Sequence, residues 1–124
     1  MQDSAEGSAL PNSASPNVDA NIDKLLRTAI EGARVIQFRY QDRVRIAEPH
    51  DYGDQKGVAK LLAYQIGGSS SNPLPNWRSI NVGEISDLRI LDRTFPGGRP
   101  TPSGKHQKWD TLYIRVRAAT AADA

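Results

Sequence analysis

Two hydrophobic periods alternate along the chain, and the switch between them orders its elements. From Asp19 the apolar residues Ile22, Leu25, Leu26, Ala29, Ile30 and Ala33 recur at helical spacing, as one buried stripe of an amphipathic helix would. Asp19 or Asn21 can cap the first turn, because either side chain can accept from free backbone N–H groups there. Gly32 stands where the helix is expected to stop, since a residue without Cβ enters a left-handed turn at little cost.

Beyond Gly32 the period falls to two. Ile36, Phe38 and Tyr40 alternate with Gln37 and Arg39, and Gln41-Asp42-Arg43 forms a short polar connection to a second strand carrying Val44, Ile46 and Glu48. A hairpin is expected. Pro49, which has no N–H to give a ladder, is predicted to end the second strand, with turn residues over 51–57. Residues 58–66 are the most apolar run, closed by Gly67-Gly68, and read as a central strand. A long loop over 67–76 leads to strands at 77–82 and 88–91. The Pro- and Gly-rich stretch 96–108 is a loop, after which Leu112, Ile114 and Val116 alternate with Tyr113, Arg115 and Arg117 in a last strand.

Five or six short strands behind one helix, without βαβ spacing, predict a mainly β fold with one N-terminal helix. The expected architecture is a small SH3-like or Sm-like antiparallel β-barrel. Residues 1–18, made largely of Ser, Ala, Asn and Pro, are expected to be a disordered tail, residues 19–117 one domain, and residues 118–124 a frayed end.

Composition narrows the function classes. A chain of 124 residues builds one core, and the absence of cysteine excludes disulfides, thiolate metal sites and cysteine nucleophiles. No apolar run approaches the roughly 18 residues of a membrane span, so a cytoplasmic protein with no membrane partner is expected. The net charge is +2, but residues 19–117 hold 16 basic and 11 acidic side chains, a charge of +5 that permits contact with phosphates.

Candidate chemistry is sparse. His50 and His106 are the only histidines, and neither stands in a nucleophile motif, so a non-catalytic protein without cofactor is expected. Glu48, His50 and Asp51 form the one cluster with ligand-like spacing, too small to predict a metal. Arg34, Arg39, Arg43 and Arg45 are concentrated in the first hairpin around Tyr40. Arg43 and Arg45 share a strand face, and Arg39 joins them in one basic surface if the pairing register agrees. Arginine forks suit phosphate oxygens and aromatic rings suit bases, which points to single-stranded nucleic acid or a nucleotide. Exposed strand edges or the 67–76 loop would instead serve a protein partner or a homo-oligomer.

The order of these short motifs resembles that of a WYL domain. An Ala29-Ile30 helix end precedes the strand Val35-Ile36-Gln37-Phe38-Arg39-Tyr40, and Arg45 stands four residues before Pro49. Leu61-Leu62-Ala63-Tyr64 resembles that family's central strand, Trp77 to Val82 a later one, and residues 88–95 its closing segment. The Trp-Tyr of the family name is Ala59-Lys60 here, the Arg before the final Ile is Glu84, and the Phe of the later strand is Ile80. The resemblance implies an Sm-like regulatory module that senses nucleic acid or nucleotide-like ligands. It further implies ligand contacts at Arg45, Leu61 and Arg78, with Arg39, Tyr40, Lys60 and Tyr64 beside them.

Overall fold

In the computed structural model, which describes residues 18–100 and 109–119, one helix precedes six strands. Helix α1 (Ala20–Glu31) starts where the Asp19 carboxylate accepts from the N–H groups of Asn21 and Ile22, at 2.8 and 3.2 Å. Its C-terminus departs from the expected glycine turn. Gly32 has φ −91°, and Ala33 takes the left-handed conformation at φ 50°. Ala33 is wholly buried and its carbonyl accepts from Phe95 N–H at 2.9 Å, so tertiary packing holds a conformation that local preference disfavours.

Leu26, Ala29 and Ile30 form the buried stripe of α1, flanked by half-buried Ile22 and Leu25. Asp23 is buried among them and accepts from Tyr52 Oη at 2.6 Å. Arg27 donates to the same carboxylate and lies over the Tyr52 and Tyr113 rings, which pins the helix to the sheet. Val18, expected in the tail, also packs against the core.

The strands are β1 (Arg34–Tyr40), β2 (Arg43–Gln55), β3 (Val58–Gly68), β4 (Asn76–Asn81), β5 (Ser86–Thr94) and β6 (Thr111–Arg115), with one 3-10 turn (Val82–Glu84) between β4 and β5. They form an antiparallel sheet in the order β4-β3-β2-β1-β5, with β6 paired to β2. Both β1–β2 and β2–β3 are joined by two residues at positive φ: Gln41 and Asp42 at 54° and 61°, Lys56 and Gly57 at 52° and 79°. Such turns carry the same twist as the strands they join. Arg43 therefore belongs to the strand rather than to the connection.

Pro49 does not end β2. The strand runs on to Gln55, and the turn expected over 51–57 shrinks to Lys56-Gly57. β1 accompanies β2 only as far as Ala47 and β6 joins at Asp51, so Pro49 sits where the flanking partner changes. The β2–β3 register also shifts between Pro49 and Asp51.

Register decides which residues share a face. Phe38 stands opposite Arg45, Ile36 and Gln65 opposite Ala47, Arg78 opposite Ala63, and Ile80 opposite Leu61. Opposed residues of an antiparallel ladder project to the same side. The inner face that carries the core residues Ile36, Phe38, Leu61 and Ile80 therefore also carries Arg45, Gln65 and Arg78. On β2 this reverses the expected alternation: Val44 is 40% exposed while Arg45 and Ala47 point inward, a one-residue offset that exchanges the faces.

β4 and β5 end the strand path and share no ladder among the described residues. The hydrogen-bonded sheet is open at that seam, and the expected closed barrel is not formed by strand pairing. Ala118 forms a bridge with Gly98, so the chain stays tied just past β6. The rest of the expected tail, the remainder of the frayed end, and positions 101–108 with His106 lie outside the described residues. No helix among the described residues is long and apolar enough to cross a membrane.

Candidate anion-binding site

Arg45 of β2 and Arg78 of β4 flank Gln65 of β3 and converge on one of its atoms. Arg45 Nη1 donates at 3.1 Å and Arg78 Nε at 3.2 Å to the same Gln65 Oε1. The amide is oriented for this because its Nε2 donates to the carbonyls of Gly67 and Ser69, each at 3.0 Å. Arg45 Nε also donates to the Tyr40 carbonyl at 3.4 Å, and its guanidinium lies 5.4 Å from the Tyr40 ring centre. Arg78 Nη2 donates to Ser70 Oγ at 2.5 Å, and Ser70 Oγ also accepts from Asn72 N–H at 3.1 Å.

The loop bearing Ser70 is brought in by a glycine. Gly68 has φ 82°, and a Cβ there would stand 2.3 Å from the Val44 carbonyl oxygen. That close crossing of β2 lets Ser69 N–H donate to the Val44 carbonyl at 2.8 Å and sets Ser70 beside Arg78.

Among the described residues no carboxylate pairs with this cluster: the ion pairs join Arg27, Arg34, Arg99 and Arg115 to carboxylates, and none involves Arg45 or Arg78. Arg45 is only 4% exposed, and its pKa is held below the ordinary guanidinium value first by burial and then by the charges of Arg78 and Arg43. Burying a cation without a counter-charge is costly, and an anion with two or more oxygens would relieve that cost here.

Of the residues expected at a site, the structure brings together Arg45, Arg78 and Tyr40. Arg39 stands opposite Val44 and is exposed on the other face, so the basic surface shared with Arg43 and Arg45 does not form. Leu61 is wholly buried in the core and has no surface to offer a ligand. Lys60 lines a separate cleft with Gln55, Lys56, Val58 and Asp110. Tyr64 faces outward opposite Trp77, ring centres 5.1 Å apart, away from the arginine pair. Tyr40 is 8% exposed and its Oη accepts from Asn81 N–H at 3.2 Å, so its ring is part of the wall. Gln65 and Ser70 complete the cluster without having been foreseen. A polar residue at a core-facing position of an apolar strand was the signal for Gln65; Ser70 gave none.

Glu48, His50 and Asp51 are all buried, but each is already engaged. Glu48 accepts from Arg99 Nε and Nη2 at 2.5 and 3.0 Å, and Arg99 lies 4.8 Å from the Tyr64 ring centre. Asp51 accepts from Arg115 Nε and Nη2 at 2.9 and 3.0 Å and from Trp109 Nε1 at 3.1 Å. These bonds raise the pKa of both arginines. His50 meets Trp77 edge-on at 4.7 Å and stacks on Phe95 at 5.5 Å. Its Nε2 lies 3.1 Å from the Arg99 backbone N–H, which can only donate, so Nε2 accepts and Nδ1–H donates to the Glu48 carbonyl at 2.9 Å. Burial holds the His50 pKa below 6.5, which keeps this neutral tautomer. No group of three His, Asp or Glu side chains among the described residues is arranged to hold a metal.

Compared with known proteins, the chain matches no family model, no curated protein and no solved structure.

Proposed function

We propose that this chain is a non-catalytic, ligand-sensing module of the WYL type, in which Arg45 and Arg78 bind a phosphate group of a nucleotide-like ligand or a single-stranded nucleic acid. The observation that carries the reading is the convergence of two guanidinium groups on one neutral amide oxygen, with no carboxylate of the described residues on either. Guanidinium groups fork onto phosphate oxygens, and the low-dielectric setting of Arg45 strengthens such a bond. Arg45 and Arg78 are also the two arginines that the WYL resemblance implies as ligand contacts.

The surroundings narrow the ligand. Tyr64 lies on the opposite face and Tyr40 is built into the wall, so neither of these rings stands free beside the pair to stack on a base. The pair addresses phosphate, and base preference is expected to be weak. The sheet order, with a 3-10 turn joining its two end strands, supports reading the fold as an SH3-like or Sm-like barrel left open between β4 and β5.

Fluorescence-polarisation titrations test this with labelled single-stranded DNA, single-stranded RNA and a labelled nucleotide at two salt concentrations. The native chain should bind with an affinity that falls as salt rises, and a double variant, Arg45→Ala with Arg78→Ala, should lose binding. Salt-independent binding, or binding unchanged in the double variant, would refute the proposal.

A second reading, a protein-interaction or oligomerisation subunit, is favoured by the outer edges of β4 and β5, which no strand among the described residues pairs. β5 bears exposed Arg89, Asp92 and Arg93, charges that discourage edge pairing, so β4 is the better edge for a partner strand. A monomer in sedimentation velocity at high protein concentration would count against self-association through it.

A further inference from the structure

We infer that the β3–β4 loop is a lid on the arginine pair, and that the Ser70 hydroxyl holds the place of a ligand oxygen, so that a phosphate anion enters by displacing Ser70 and lifting the loop. This rests on reading Arg45 and Arg78 as an anion site and adds its regulation.

Among the described residues four arginines donate through the Nε–Nη2 edge of the guanidinium group: in Arg34 both nitrogens share the single Leu91 carbonyl, whereas the other three each meet a pair of oxygens. In Arg99 and Arg115 the Nε–Nη2 edge grips both oxygens of one carboxylate, from Glu48 and Asp51 respectively. In Arg78 the same edge is filled by two neutral oxygens from two different residues, Gln65 Oε1 on Nε and Ser70 Oγ on Nη2. Together they imitate the oxygen pair of an anion without its charge. Because charge-assisted bonds to an oxyanion are stronger than bonds to an amide or a hydroxyl, an incoming phosphate competes well for this edge.

The two stand-ins are not equally replaceable. Gln65 is buried at 1% exposure and anchored by its own bonds to the Gly67 and Ser69 carbonyls. Ser70 sits in a loop whose neighbours Ser69, Ser71, Asn72 and Pro73 are exposed. The base of the loop is fastened, through Gly68 crossing β2 and Ser69 N–H on the Val44 carbonyl. Ser70 is tied to the sheet through Arg78, while its bond from Asn72 stays within the loop. Losing the Arg78 bond therefore releases Ser70 and its exposed neighbours 71–73, between the fastened base and half-buried Leu74, while Gln65 stays to orient both guanidinium groups. Occupancy of the site becomes loop position, which is an output that a sensing module can use.

Isothermal titration of the full chain with inorganic phosphate and with a nucleoside monophosphate, on native protein, Ser70→Ala and Ser70→Asp, tests the lid. Removing the competing hydroxyl in Ser70→Ala should tighten binding roughly three- to tenfold. Ser70→Asp, which places a carboxylate on the pair from within the chain, should weaken it by about tenfold or more. If the native chain binds either probe and Ser70→Ala binds no tighter, the lid is refuted while the anion site stands. If neither the native chain nor Ser70→Ala binds either probe, the site itself is refuted, and the lid with it.

Discussion

The outer and inner faces of the sheet each bury arginine chemistry, and they resolve it in opposite ways. On the outer face Glu48 and Asp51, both buried, each receive a two-bond fork from a half-exposed arginine. On the inner face Arg45, three residues before Glu48 on the same strand, is buried with only neutral oxygens around it and a second guanidinium beside it. A carboxylate already matched by its cation is part of the framework. A cation pair matched by amide and hydroxyl leaves its charge open, and on that difference the proposed anion site rests. The lesson is that the number of charged groups in a buried cluster says less than whether their charges close within the chain.

Mutations can break this comparison at either end. The largest effect is expected from Asp51→Ala, which strands Arg115 and the Trp109 indole N–H: stability in urea should fall by about 2–4 kcal/mol. A loss below about 1 kcal/mol would show that the outer cluster is not the framework described. Glu48→Gln keeps the shape but removes the charge facing Arg99, whose side chain is 43% exposed, and should cost about 1–2 kcal/mol in the same assay. Arg45→Met should leave stability within about 1 kcal/mol of native, because a desolvated cation is exchanged for an apolar chain of similar length. The same variant should lose phosphate binding. Destabilisation as large as that of Asp51→Ala would place Arg45 in the framework instead.

The smallest effect is a pH dependence, since a single group carries it. The His50 pKa is lowered in the folded chain by burial, so below 6.5 the unfolded chain binds more protons than the folded one. The stability that neutral His50 contributes is fully present above about 6.5 and is lost progressively as pH falls below it, through the lowered folded pKa. Melting temperature should decline from pH 7.5 to pH 5, and His50→Gln should flatten the decline. A slope unchanged in that variant would assign the dependence to other groups.

Much of the fold was legible because period is a local signal. The Ile22 to Ile30 part of the stripe and the Ile36-Phe38-Tyr40 alternation appear as α1 and β1, and the 58–66 run lies within β3. What could not be read depended on partners distant in sequence. Pro49 looks like a strand end until β2 is seen to exchange β1 for β6 around it. Val44 and Ile46 look like the inward residues until Phe38 is seen opposite Arg45, which exchanges the faces. Arg45 and Arg78 were expected together from the order of short motifs, and both donate to Gln65. Tyr64 was misplaced beside them, because adjacent residues of β3 point to opposite faces and Ala63, not Tyr64, stands opposite Arg78. Arg99 and Arg115 could not be matched to Glu48 and Asp51 from spacing, since each pair spans more than 50 residues.

The measurement that bears most directly on the central claim is an NMR titration that follows arginine Nε–H resonances as a nucleoside monophosphate is added. The Arg45 and Arg78 signals should shift together and saturably while those of Arg99 and Arg115 stay in place. Shifts at Arg99 and Arg115, or none at Arg45 and Arg78 while other signals respond, would contradict that claim.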